Sequence, residues 1–165
     1  MTRTLLTAML FALTAFLNAC SEGPGIDAYV VRIDSNCAVV VSFDSKATSE
    51  DAAYRFYGIG IPSERQPFGP EAHAYIEKML PRGTRISINK LTDPRGSDSL
   101  PEALIQVYGK SLNYALISEG LAWVDRQHCK GLYCRRWHIE EHKVVEAGKG
   151  IWSVKVSTPP WQWGE

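Results

Sequence analysis

Four side chains in the C-terminal third have the types and spacing of metal ligands. They are Cys129, Cys134, His138 and His142. Thiolates and imidazoles at such short spacings can bind zinc, and His128 is a further candidate donor. The pattern lacks the long spacer of most zinc modules. Histidines four residues apart are also typical of a solvated helix face beside acids such as Glu140 and Glu141, so zinc is the less favoured interpretation.

The start of the chain predicts export. A basic residue, Arg3, precedes an apolar run that ends at Leu17, and the run is too short for a permanent membrane span. Residues 17–20, Leu-Asn-Ala-Cys, resemble the bacterial lipobox. This resemblance implies cleavage before Cys20 and a lipid on its sulfur; the alternative is an ordinary signal peptide with an incidental cysteine.

Lipidation would divide the chain into three parts. Residues 1–19 are the expected lipoprotein signal peptide, residues 20–27 a tether and residues 28–165 one folded domain with a Pro-Pro-Trp tail. The lipid would anchor the protein in a membrane. Ser21, in place of an aspartate after the cysteine, favours the periplasmic face of the outer membrane if the source is Gram-negative.

Export also bears on the cysteines, because disulfides persist in oxidising compartments. Of the four cysteines, three remain if Cys20 carries lipid. Cys129 and Cys134 are the predicted disulfide, since Gly131 allows the short loop to fold back, and such a loop contributes about 2 kcal/mol. Cys37 lies in an apolar stretch and is expected to be a buried small hydrophobe.

The charges are balanced, with 18 basic and 18 acidic residues, so an anion site would have to be local. The basic residues gather in one segment: Arg126, Lys130, Arg135, Arg136, His138 and Lys143. This segment could attract phosphates or anionic lipid. A solvated helix face with interspersed acids is slightly favoured.

Hydrophobic periodicity predicts an α+β domain that positions these groups. Strands are predicted at residues 28–33, 37–43, 52–61, 84–89 and 103–108, and helices at residues 70–80, 112–119 and 135–147. The tail is expected to be extended, with Trp161 and Trp163 packed back across the domain. Five strands with helices at one end and after the sheet indicate a small barrel.

Several motifs in this order resemble the thermonuclease (staphylococcal-nuclease-like) family. They are Gly-Ile-x-x-Pro at 58–62, Gln-Pro-Phe-Gly-Pro-Glu-Ala at 66–72, the segment 109–122 and Gly-Lys-Gly-Ile-Trp-Ser at 148–153. The likeness covers nearly all of residues 28–163. It implies an OB-fold barrel of five strands with three helices, and hydrolysis of DNA and RNA phosphodiesters with Ca²⁺. In this family two aspartates and a backbone carbonyl hold the ion, a glutamate is the proposed base and two arginines neutralise the phosphate.

Few of these family positions keep their side chains here. Arg55 falls on the first arginine position, but near the second the chain offers only Arg95. The metal-binding aspartate before the proline is replaced by Gly60, and the glutamate after that proline by Ser63. Glu64 lies one position after the place where the family has its glutamate. A shift of one residue moves a side chain by about 3.5 Å, whereas catalytic geometry tolerates a displacement of about 0.5 Å.

The remaining metal position lies in the first hairpin turn. Asn36 occupies it, two residues after Asp34, and the two form a vestigial calcium site in which Asn36 can donate a carbonyl oxygen but carries no charge. We therefore expect a catalytically degenerate binding or structural module of the envelope, with nucleic acid, another anion or an envelope protein as its partner and no cofactor. The alternative is a weak or altered Ca²⁺-dependent nuclease that uses Arg55, Glu64 and Asp34. Convergence of two or more of Asp34, Asn36, Glu64 and Asp93 on Arg55 would favour it.

Overall fold

The computed structural model of the chain describes residues 25–94, 99–155 and 157–163. Its strands are β1 (Ile26–Ile33), β2 (Val39–Ser42), β3 (Ala52–Phe56), β4 (Ile59–Gly60), β5 (Arg85–Thr92), β6 (Glu102–Val107), β7 (Lys110–Ser111) and β8 (Trp123–Val124). Its helices are α1 (Gly69–Met79), α2 (Leu112–Ser118) and α3 (Leu132–Glu146). The predicted signal peptide, Cys20 and Arg95 lie outside the described residues.

Five of the strands form a closed barrel. Antiparallel neighbours run in the order β3-β2-β1-β5-β6, and the barrel closes where β3 and β6 pair in parallel, with Arg55 beside Glu102 and Phe56 beside Ala103. This closed mixed barrel with three helices confirms the predicted α+β, OB-like fold.

Alternation along the strands fills the barrel with apolar side chains. On β6, for example, Ala103, Ile105 and Val107 point inward and are buried. Helix α1 contributes Ile76 to the same core. A second cluster lies outside the barrel beneath α3, where Leu104 of β6 packs with Trp137 and other apolar side chains.

Most strand and helix ends lie within a few residues of those predicted, and the following three differences are structurally informative. The strand expected over residues 52–61 is divided into β3 and β4 by a turn in which Gly58 has φ +69°. Helix α3 begins at Leu132, directly after Gly131 with φ 103°, and not at residue 135. In the tail, Pro160–Gln162 forms a short 3₁₀ turn where extended chain was expected.

Among the helices of the described residues, none has the length and apolar character needed to cross a membrane.

Candidate functional site

An open cavity of about 320 Å³ lies where β3 and β6 close the barrel. The turn between β1 and β2 contributes Asn36 and Cys37, the closing strands contribute Arg55 and Glu102, and the segment from Ile59 to Ser63 forms the opposite wall. Pro160 of the C-terminal tail also lines the cavity. Arg55 therefore lies in a concave site.

A buried amide holds the two closing strands together. Asn113 of α2 is fully buried, and its Nδ2 donates to the carbonyl oxygens of Tyr57 at 3.1 Å and Ala103 at 3.3 Å. Its Oδ1 accepts from the backbone N–H of Ile105 at 3.0 Å. Because these bonds join the end of β3 to β6, they fix Arg55 beside Glu102.

Arg55 and Glu102 are the only charged residues of the described chain that line the cavity. The Arg55 side chain is exposed and makes no hydrogen bond or ion pair with any described residue. Oε2 of Glu102 is buried and has no hydrogen-bond partner within the described ranges. The site therefore presents one available guanidinium, and its formal charge is close to neutral.

The carboxylate of Asp34 is used by the hairpin turn. Its Oδ1 accepts from the backbone N–H groups of Asn36 at 2.9 Å and Ala38 at 2.8 Å. His73 of α1 bonds the carbonyl oxygen of the same residue at 3.2 Å. Asp34 shapes the turn and does not line the cavity, whereas Asn36 does.

Cys37 lies in the cavity wall as a buried free thiol with φ 61°. Burial, reinforced by the negative charges of Asp34, Glu64 and Glu77, raises the pKa of the thiol to about 12. The thiol is therefore neutral at physiological pH and does not serve as a thiolate nucleophile. The prediction of a buried small side chain is confirmed for this residue.

Gly60 lies directly beneath the C-terminal tail. A Cβ atom at this position would come within 2.4 Å of Cζ3 of Trp161 and 2.9 Å of Cγ of Pro160. The tail is tied down by Gln66, a buried residue whose Nε2 donates to the carbonyl oxygen of Thr158 at 3.2 Å. The space that a side chain at position 60 would need is thus filled by the tail.

The other acids proposed from the sequence lie elsewhere. Glu64 is exposed and does not line the cavity. Asp93 pairs with Lys90 at 2.7 Å. Of the four residues whose convergence on Arg55 would favour catalysis, only Asn36 shares the cavity with it.

Three residues that shape the site were not identified from the sequence: Glu102, Asn113 and Gln66. Glu102 offered the clearest signal, because it follows Pro101 at the start of a strand, close to where the family resemblance implies a second arginine. Asn113 and Gln66 act through side-chain hydrogen bonds to the backbone of distant residues, and such bonds cannot be predicted from the spacing of residues in the sequence.

The donor set does not fit the Ca²⁺ ion that the resemblance implies. Calcium takes six to eight oxygen ligands, several of them carboxylate. The cavity offers one carboxylate, on Glu102, and the side-chain amide of Asn36. The described residues contain no group of three or more His, Cys, Asp or Glu side chains that could hold a metal.

The zinc-like pattern is not assembled either. Cys129 and Cys134 form the predicted disulfide, so their sulfurs are not available as thiolates. His138 lies 4.0 Å from Glu141, and His142 lies 3.6 Å from Glu146. The histidines therefore face acids on their own helix.

The basic segment is partly neutralised by the same helix. Arg126 pairs with Glu141 at 3.1 Å, and Lys143 pairs with Glu140 at 3.2 Å. Arg135 and Arg136 are exposed and have no ion pair with a described residue. Lys130 is likewise exposed and has no ion pair with a described residue, so three of the predicted cations remain available on the surface.

Comparisons with known proteins agree with the fold. Residues 44–154 match the family described as "Staphylococcal nuclease homologue". The chain is 27% identical over 109 residues to "Staphylococcal-like nuclease CAN1" of Arabidopsis thaliana, covering 66% of this chain and 32% of that protein. It is 37% identical over 103 residues to "Staphylococcal nuclease domain-containing protein 1" of Drosophila melanogaster, covering 61% of this chain and 11% of that protein.

A bacterial relative is matched over more of its length. The chain is 26% identical over 142 residues to "Protein ParB" of Escherichia coli, covering 81% of this chain and 76% of that protein. By contrast, the chain spans a third or less of the two eukaryotic relatives. Those similarities therefore concern one domain of longer proteins.

Proposed function

Because this chain belongs to the staphylococcal nuclease family, we propose that it binds nucleic-acid phosphodiesters through Arg55 without hydrolysing them efficiently. It would do so as a lipid-anchored protein of the bacterial envelope. The observation that carries the proposal is the packing of Trp161 and Pro160 over Gly60, where the family resemblance places a metal-binding aspartate.

Binding without hydrolysis follows from the charges in the cavity. The guanidinium of Arg55 has no partner among the described residues and can donate two parallel hydrogen bonds to a phosphate. Hydrolysis requires more positive charge than binding does, because negative charge accumulates in the transition state and cations must stabilise it. Here Glu102 adds a negative charge to the same cavity and opposes that accumulation.

A weak or altered nuclease is the second candidate. It is supported by Oε2 of Glu102, which has no hydrogen-bond partner within the described ranges, since a carboxylate in the same cavity as the guanidinium is a candidate general base. The name "Staphylococcal-like nuclease CAN1" of one relative also points in this direction. In this case Glu102, and not Glu64, would be the acid to test.

The proposal is tested by measuring binding of a fluorescent single-stranded oligonucleotide in the presence of EDTA, which excludes hydrolysis. Arg55→Ala should weaken binding about tenfold, the loss expected for a charge-assisted hydrogen-bond pair. Arg65→Ala is the matched control, since Arg65 is an exposed arginine in the neighbouring loop that does not line the cavity. Equal binding by both variants and the parent protein would refute the Arg55 site.

The envelope location needs a separate experiment. Mass spectrometry of the protein from membranes should find Cys20 as the first residue, with acyl chains attached. An unmodified N-terminus after secretion would instead leave the binding domain without its proposed anchor.

A further inference from the structure

A second cavity, of about 380 Å³, lies on the outer face of β6 beneath α2 and α3. We propose that it binds a nucleotide: a planar aromatic ring lying against the aromatic wall formed by Tyr114 and Tyr133, with a phosphate on Arg136. The volume falls in the range of small-ligand sites, about 300–1,000 Å³. The residues that carry the inference are Gln106, Ser111, Tyr114, Tyr133, Arg136 and Trp137.

The aromatic walls of this cavity are held in place by their neighbours. The rings of Tyr133 and Trp137 lie 5.3 Å apart, and Tyr133 makes an edge contact with Tyr57 at 6.0 Å. Trp137 is almost fully buried, and the hydroxyl of Tyr114 bonds the carboxylate of Glu140. Trp137 therefore supports the wall from behind, and the half-buried rings of Tyr114 and Tyr133 are the faces on which a nucleobase can stack.

Polar groups suited to a base edge and a phosphate converge on the same space. Arg136 has no hydrogen bond or ion pair with a described residue, and its guanidinium can fork onto a phosphate. The side-chain amide of Gln106 is half-buried and likewise has no hydrogen bond within the described ranges. Ser111 Oγ accepts from the N–H of Tyr114 at 3.3 Å, which leaves its own O–H free to donate.

The hairpin tip beside the cavity carries an exposed aromatic side chain in an unfavourable conformation. Tyr108 has φ 51° and is 78% exposed, and the next residue, Gly109, lines the cavity. Two-residue hairpin loops favour Asn-Gly or Asp-Gly because both positions need positive φ. A tyrosine kept there at a conformational cost is consistent with a stacking role at the rim.

This cavity is separate from the one that contains Arg55. Glu102 lines the first cavity and Gln106 the second, and four residues along β6 span roughly 13 Å. The inference therefore does not depend on the proposed function of the first cavity.

The test uses AMP and UMP as probes, titrated into the folded protein and followed by amide and indole NMR shifts. Both should move the signals of Trp137, Gln106 and Tyr114. Ribose 5-phosphate, which lacks the base, should bind about tenfold more weakly, the contribution expected of one base stacked on aromatic side chains.

Arg136→Gln should weaken AMP binding about tenfold. Its matched control is Arg135→Gln, the adjacent exposed arginine that does not line the cavity. Gln106→Ala should also weaken binding, whereas Arg65→Ala should leave it unchanged, because Arg65 is an exposed arginine that lines neither cavity. Thermal denaturation of each variant verifies that it is folded.

The outcomes are distinct. Tighter binding of AMP than of a single-stranded oligoadenylate would identify a free nucleotide as the ligand, and the reverse order would identify single-stranded nucleic acid; both support the site. The inference is overturned if neither probe shifts these signals, if ribose 5-phosphate binds as tightly as AMP, or if the Arg135 variant loses as much affinity as the Arg136 variant.

Discussion

Neutralising Glu102 should strengthen binding of phosphodiesters in the first cavity. Glu102→Gln keeps the shape of the side chain and removes the only negative charge that a described residue contributes to the cavity wall. If Glu102 opposes an anion held by Arg55, the variant relieves that repulsion. If Glu102 is instead the base of a weak nuclease, the same change removes hydrolysis.

The size of the effect follows from the size of the cavity. A sphere of 320 Å³ is about 8 Å across, so that a bound phosphate lies about 6 Å from the carboxylate. At that separation two unit charges repel by about 0.7 kcal/mol in water and about 2.8 kcal/mol at an effective dielectric constant of 20. Since the cavity is open, we expect about 1 kcal/mol, or about fivefold tighter binding.

Fluorescence anisotropy of a labelled oligonucleotide at low salt, with EDTA, measures this change. Glu64→Gln is the matched control, because it makes the same change in net charge at an exposed position outside the cavity. Equal gains from the two variants would mean that only the overall charge matters. Unchanged or weaker binding by Glu102→Gln would refute the reasoning.

Three further predictions concern the structure around the site. Gly60→Ala should displace the tail and lower the free energy of unfolding, measured by urea denaturation, by about 1–3 kcal/mol, because its Cβ would lie 2.4 Å from Trp161. The double variant with Trp161→Ala should regain most of this free energy. The free energy of unfolding should fall as pH rises from about 9 towards 12, because the pKa of the Cys37 thiol is raised to about 12 in the folded protein and the unfolded chain releases this proton first. The fall should be less steep in Cys37→Ala, and equal pH slopes in the two proteins would contradict this. Reducing the bond between Cys129 and Cys134 should cost about 2 kcal/mol of stability, as measured by denaturation with and without reductant; an unchanged midpoint would show that the loop is ordered without it.

The barrel was predictable because its signals are local and periodic. The alternation of residues 84–89, Thr-Arg-Ile-Ser-Ile-Asn, marks β5 as a strand from the sequence alone, and the apolar spacing of α1 marks its buried face. The disulfide followed from export and from Gly131 in a short loop. Sequence resemblance then supplied the order in which the strands close.

The residues that form the cavity could not be predicted in the same way, because they are brought together by contacts between segments that are distant in the sequence. Trp161 covers Gly60 although it lies 101 positions later in the chain, and no periodicity indicates such a contact. Glu102 reaches the cavity because β6 pairs in parallel with β3, a register that neither strand specifies by itself. Asp34 was a reasonable metal-ligand candidate by type, but its backbone hydrogen bonds assign it to the turn.

We propose that this member of the family holds a phosphodiester without cutting it. The most direct measurement follows a labelled single-stranded DNA with Ca²⁺ and records binding and product in the same reaction. The account predicts binding that requires Arg55, with no calcium-stimulated product above the level of Arg55→Ala. Rapid calcium-stimulated cleavage that disappears in Glu102→Gln would contradict it and identify a working nuclease.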